Sequence, residues 1–284
     1  MKRILNTVLL GAVVAMSVTG CADYVQGIDD PIDQIPDGAL TSEAQVPFLV
    51  TGIQQRFSNA YDQTTVLAEG LSDAFVFGGS NATFPTFQQA DQCDFLLDNN
   101  SSTNALSPLG QFAFLADNLM ERVEEIGTFD DPGIRQNALY NAHLYAGLAR
   151  YMYAAYFGLE PTRGGGFDET GSTAAPFVES NELHNIALTH FGHASEFASD
   201  AQQRLLNSLS ARVQLYLGNY DQALTAAAAG LNPADDPFLA RYTSETQNDW
   251  FSSAGIGRSQ FVPADRFVEY VEENEAEASR VELR

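Results

Sequence analysis

The sequence predicts an all-α body, built from helical hairpins joined by long irregular loops, and three observations carry that prediction. Between Arg204 and Pro233, Leu205, Leu209, Val213 and Leu217 recur every four positions, and Gly218-Asn219 interrupts them. Tyr220, Ala223, Leu224, Ala227 and Leu231 then restart the helical period, and Asn232-Pro233 stops it, so the stretch reads as a helical hairpin. Between Ser107-Pro108 and Phe157 the logic repeats. Phe112, Leu115, Ala116, Leu119, Val123 and Ile126 line one helix, Asp131-Pro132 caps and starts the next, and Ala138, Ala142, Tyr145, Ala149, Tyr153 and Tyr156 share a face of it. Finally, 284 residues with 45% apolar content are enough for a sizeable core. One hairpin cannot bury its own apolar face, so each must pack on another.

Taken in order, the chain opens on a segment that reads as an export signal. Lys2 and Arg3 precede an apolar run from Val8 to Val18 that is too short to span a bilayer, and small residues follow. Val18-Thr19-Gly20-Cys21 resembles a bacterial lipobox, in which Cys21 becomes the lipidated first residue of the mature protein. The alternative is an ordinary secretory signal ending beside a cysteine. With Cys21 lipidated, Cys93 is the one thiol left, which excludes an intramolecular disulfide and predicts Cys93 as a buried small hydrophobe. Residues 22 to 40 mix Asp, Pro and Gly and read as an acidic tether, so the membrane is met only through the lipid anchor.

The body is expected from residue 41 onward. Ser42 and Gln45 have the spacing of a capping box, and Phe48, Leu49, Ile53 and Phe57 form one face of the helix it would open, with Pro47 tolerable in the first turn. A second helix is expected from about Thr64 to Phe75. The stretch from Val76 to Ser102 lacks a helical period and reads as a surface excursion. The Gly-rich residues from Gly158 to Ser180 form another loop, and a helix from about Asn181 to Phe197 offers Leu183, Ile186, Phe191, Ala194 and Phe197 to the core. After Pro233 the pattern weakens until a short helix from Ala264 to Val271.

Charge and missing motifs narrow the function. The net charge is −23 and Lys2 is the only lysine, a surface that repels nucleic acid and anionic membrane and suits high salt. Nucleophile-elbow, zinc-protease, phosphate-loop and dinucleotide signatures are all missing, so no catalytic residue, metal or cofactor is named. His184, His190 and His193 share one predicted helix, and the last two could reach a common metal. No Cys or carboxylate completes a recognisable ligand spacing, so polar helix surface is the expectation. Asp91, Asp94 and Asp98 lack the glycine and distal glutamate of a calcium loop and read as solvated acid surface.

Aromatic residues in the loops are the candidate recognition groups. Exposed rings stack on sugar faces while polar neighbours bind hydroxyls. Phe75, Phe77, Phe84 and Phe87, with Asp73 and Asn81, form one such set, and Trp250 with Tyr242 and Asn248 forms another. The competing reading is that the phenylalanines pin a long loop to the helices.

Two resemblances complete the reading. G-N-Y-D-Q-A-L at 218–224, followed by L-N-P at 231–233, resembles a tetratricopeptide repeat unit. The order of several pieces resembles the SusD/RagB family of nutrient-uptake outer-membrane lipoproteins: the lipobox at Cys21, P-D-G-A-L-T-S-E at 36–43, L-S-D at 71–73, R-Y-M-Y-A-A-Y-F-G-L-E-P at 150–161 and the repeat at 210–224. The resemblance implies a helical body with tetratricopeptide-like hairpins, whose excursions bind glycans or peptides without catalysis above a TonB-dependent (SusC-like) transporter. It implies that Asp73 faces ligand and that the loop to Phe87 belongs to the site. F-V-P-A-D-R-F-V-E-Y at 261–270 resembles a point beyond which members continue, so a chain shortened at its C-terminal side is expected. Two other classes stay open: a helical-repeat scaffold for a protein partner, and a hydrolase using two carboxylates about 5 to 10 Å apart, one with a raised pKa.

Overall fold

The computed structural model describes residues 37–72, 74–78, 85–158, 178–243, 246, 248–255 and 259–279. It divides into an N-terminal unit ending at Ser42, described only from residue 37 and holding a 3₁₀ turn at Asp37–Ala39, and a body from Glu43 to Arg284. The export signal, Cys21, most of the tether, Asp73, Asn81, Phe84 and residues 159–177 lie outside the described residues.

The body is mostly helical. Helix α1 is a single helix, Val46–Leu71, where two were expected. Its apolar period runs unbroken through Val46, Val50, Ile53, Phe57, Ala60, Val66 and Leu67, all buried, and nothing between Phe57 and Thr64 breaks a helix. Ser58 and Thr65 donate their hydroxyls to the backbone carbonyls of Gln54 and Asp62, so these polar residues sit in the helix without loose groups. Phe48, expected on the core face, is 75% exposed. A 3₁₀ turn at Glu43–Gln45 leads into the helix. Gln45 is the N-cap and makes no side-chain cap bond, while Glu43 accepts the backbone N–H groups of Asp130 and Asp131 instead.

The expected excursion holds more order than its sequence suggests. Strand β1, Phe75–Phe77, pairs antiparallel with β2, Phe261–Pro263, in the register Phe75 to Pro263 and Phe77 to Phe261, and helix α2 follows at Pro85–Asp91. Helix α3, Asn100–Ile126, starts earlier than Ser107-Pro108 because Asn99 caps it, its side chain accepting the Ser102 N–H at 3.0 Å. Pro108 therefore lies inside the helix. The carbonyl it leaves without a helical donor belongs to Asn104, an exposed residue where water can serve.

Helix α4, Pro132–Met152, begins as expected, with Asp131 accepting the Gly133 N–H at 2.8 Å, and ends in a π turn at Tyr153–Phe157. Helix α5 is Ser180–Ser195 and α6 is Asp200–Tyr216, the latter opened by a true capping box between Ser199 and Gln202. Gly218, at φ +76°, makes the turn into α7, Tyr220–Ala228, and α8 is Arg266–Glu273.

These helices pack in sequence: α1 on α3, α3 on α4, α4 on α5, α5 on α6 and α6 on α7. The contact between α4 and α5 is close because it is built on small residues. A Cβ at Gly147 would stand 2.5 Å from the Phe191 ring and 3.1 Å from the Ala187 carbonyl. Helices α6 and α7 form an antiparallel hairpin whose ends are tied by polar bonds. Asn207 donates to the Ala229 carbonyl, Ser208 Oγ accepts the Leu231 N–H, and Arg204 grips the Asp235 carboxylate with two nitrogens. On α7 only Ala223 is buried, whereas Tyr220 and Leu224, expected in the seam, are 66% and 70% exposed. α7 packs chiefly on α6, which covers one side of it. No helix among the described residues is long and apolar enough to cross a membrane.

Candidate functional site

The site is organised by the irregular segment after α7, which returns over α1 as a strap. Its backbone amides and side chains find partners that α1 supplies at successive turns. The Arg241 N–H donates to Ser58 Oγ at 2.9 Å, and Tyr242 donates its hydroxyl to the Ser58 carbonyl at 3.1 Å. Gln55 donates to Thr246 Oγ1 at 2.6 Å, and the Asp249 N–H donates to Asp62 Oδ2 at 2.8 Å. Gln63 bonds the Asp249 carboxylate, and the Trp250 indole N–H reaches Thr65 Oγ1 at 3.2 Å.

At the far end of the strap, Phe75, Phe77 and Phe87 of one aromatic set and Trp250 of the other come together in one cluster. Phe75 packs on Trp250 with ring centres 4.7 Å apart, Trp250 on Phe261 at 5.9 Å, and Phe87 on Phe261 at 4.3 Å, with Phe77 and Val66 beside them. Gly70 on α1 makes room for the Phe87 ring, since a Cβ there would come within 2.7 Å of it. Phe87 is 1% exposed and turns no face to solvent, so at this residue the loop-pinning reading describes the ring. Phe75, Phe77 and Trp250 are half-buried. Of the polar companions, Asn248 accepts the Phe251 N–H, and burial pushes the Tyr242 hydroxyl up to about 12.

Where the strap begins, a recess of about 290 Å³ opens between α1, α4, α6 and residues 237–241. Gln54, Asn137, Tyr140, Asn141, Phe238 and Arg241 line it. Asn141 donates to both the carbonyl and the side-chain oxygen of Asn137, at 2.7 and 3.0 Å, and accepts from Gln54 at 3.4 Å. A second recess of about 260 Å³ shares Asn137 and extends toward Val46 and Asp131. Sequence reasoning named none of these residues as part of a site. The available signal was Asn137 and Asn141, one helical turn apart on a face otherwise carried by Ala138, Ala142 and Tyr145.

Asp62 is the perturbed acid of the region. Its pKa is raised to about 6, chiefly because burial disfavours the charge and further because the Asp249 carboxylate lies near, against the opposing bond from the Asp249 N–H. That is the property a carboxylate-pair hydrolase needs. Asp62 is 2% exposed and lines neither of these two recesses.

Other sequence expectations change in the structure. His184 is not polar surface: it is 3% exposed between Tyr151 and Tyr216, because its side of α5 faces α4 and α6. His190 is half-buried beside His143 of α4, and only His193 of the three is exposed. Cys93 is exposed, not buried, in a loop where Phe95, Leu96 and Leu97 also leave the core. Its φ of +54° marks the sharp turn after α2 that carries the chain outward. Asp94 and Asp98 are exposed, and Asp91 is half-buried. No protein-family model matches the chain, and a comparison with curated proteins finds no match.

Proposed function

We propose that this chain is a non-catalytic lipoprotein of the outer membrane surface, anchored through Cys21, that captures oligosaccharides or peptides and passes them to a TonB-dependent transporter. In this reading the α6–α7 pair is a tetratricopeptide-type hairpin within a SusD-like body. The observation that carries the proposal is the strap, which sets an amide-lined recess and the Phe75–Trp250 aromatics along one helix. Amide side chains both donate and accept, as sugar hydroxyls and peptide groups require, and half-buried rings offer apolar edges beside them. Affinity falls in the range of about micromolar to millimolar, since a few solvent-exposed bonds must offset the ordering of ligand.

Titration with oligosaccharides and with peptides at low and high ionic strength tests it. Binding that survives salt and weakens in Asn137→Ala, Phe84→Ala or Trp250→Ala supports capture. Binding abolished by salt and indifferent to all three favours a scaffold for a cationic protein, a reading that the uncovered Tyr220 and Leu224 of α7 also suit. The anchor has its own check. Cys21→Ala is expected to move the protein from the membrane fraction to the soluble fraction, and unchanged partitioning would end the lipoprotein reading.

A further inference from the structure

The face where α4 meets α5 carries three histidines that the proposed capture site does not use. His143 Nδ1 lies 3.3 Å from His190 Nδ1, and the His143 ring centre lies 5.2 Å from that of His193. Two imidazole nitrogens bound to one zinc ion at 2.0 to 2.1 Å in tetrahedral geometry stand about 3.3 to 3.4 Å apart, so the first two histidines already hold one edge of such a site. His193 follows His190 by three residues on α5 and therefore stands on the same helical face. The geometry points to a binding site for a borderline divalent transition metal such as zinc, with His143 and His190 as preformed ligands and His193 as the third, leaving one position to water or Glu196.

Among the described residues no three such groups are yet gathered around one point. The missing movement is a turn of the His193 side chain, now 3.4 Å from Glu196 Oε1, and both of these side chains are more than half exposed, at 53% and 65%. Rotating an exposed side chain costs little beside a metal–nitrogen bond. Arg150, whose charge disfavours a cation at His190, is held by both oxygens of Asp117 at 2.8 and 2.6 Å, so a carboxylate of α3 offsets it. Zinc, nickel and copper are the ions that imidazole sites favour, whereas calcium and magnesium prefer oxygen.

Calorimetric titration of the full chain with zinc chloride tests the site, with excess magnesium present to occupy the acidic surface. The expected result is one saturable site, a higher melting temperature with zinc, loss of that site in His143→Ala and in His190→Ala, and at least about tenfold weaker binding in His193→Ala. Melting each variant without metal separates loss of ligand from loss of fold. No saturable binding, or equal binding in the wild type and the two core variants, overturns the site. Wild-type affinity in His193→Ala overturns its three-histidine composition.

Discussion

Replacing Phe112 by Ala is expected to remove about 3 to 5 kcal/mol of folding stability, a large share of the roughly 5 to 15 kcal/mol that holds a domain together. Phe112 is 0% exposed at the centre of α3 and is the point where three helices share one aromatic core. Its ring lies 5.5 Å from that of Phe57 on α1 and 5.8 Å, edge-on, from that of Tyr145 on α4. Phe57 in turn contacts Tyr145 at 5.3 Å and Phe238 of the strap at 5.6 Å. Truncation therefore loses ring burial and leaves a cavity that long helices cannot close without sliding along one another. Phe114→Ala is the internal control. It sits two positions on along the same helix, 65% exposed, and should change stability by less than about 0.5 kcal/mol. Denaturant midpoints for the two variants decide the matter, and equal shifts would mean that the face of α3 is wrongly assigned.

Local features of this fold were legible because they are written in adjacent residues. Asp131-Pro132 names its own helix start, and Gly218-Asn219 names its own turn. The failures are also local, and they share a cause: several short patterns compete for the same role. Ser42 and Gln45 have capping-box spacing, but the α-helix places Gln45 at its own N-cap position, and Glu43 between them binds the Asp130 and Asp131 amides. Pro108 looks like a helix start until Asn99, several residues earlier, takes that position. Histidine faces were misread because period alone places His184 and His190 on a helix without saying which of its sides meets α4.

The candidate site was legible in its ingredients and illegible in its assembly. Phe75 and Trp250 were both singled out, but their contact depends on a strand pairing between residues 75–77 and 261–263, and no local pattern encodes a register across that separation. Polar recess residues were missed for the same reason, since Gln54 meets Asn141 across 87 positions. Burial also reassigns roles that composition suggests. Phenylalanine in a polar loop reads as a ligand platform, yet Phe87 closes on α1 because Gly70 leaves a hollow for it.

Asp62→Asn is expected to stabilise the protein at neutral pH, by up to about 3 kcal/mol, and to leave it almost unchanged near pH 4. Asp62 is 2% exposed, Oδ2 accepts the Asp249 N–H, and Oδ1 has no hydrogen-bond partner. Burial first, and the nearby Asp249 carboxylate after it, raise its pKa from the ordinary 3.8 to about 6. The folded state thus holds a proton that the unfolded state releases between about pH 4 and 6, so stability falls as pH rises through that window and the loss is complete above it. This is the reverse of a salt-bridged aspartate, whose contribution is lost on acidification. An asparagine cannot ionise and still offers an oxygen to the Asp249 N–H. Carboxylates remote from Asp62 titrate in the same range, but they are common to both proteins and cancel in the difference. Chemical denaturation of wild type and variant at pH 4, 5, 6 and 7.5 should give curves that meet at the acid end and separate toward neutrality. A variant that is weaker by one constant amount at every pH would show that Asp62 is not a buried carboxylate carrying an uncompensated charge, and that the strap is held to α1 by its other bonds alone.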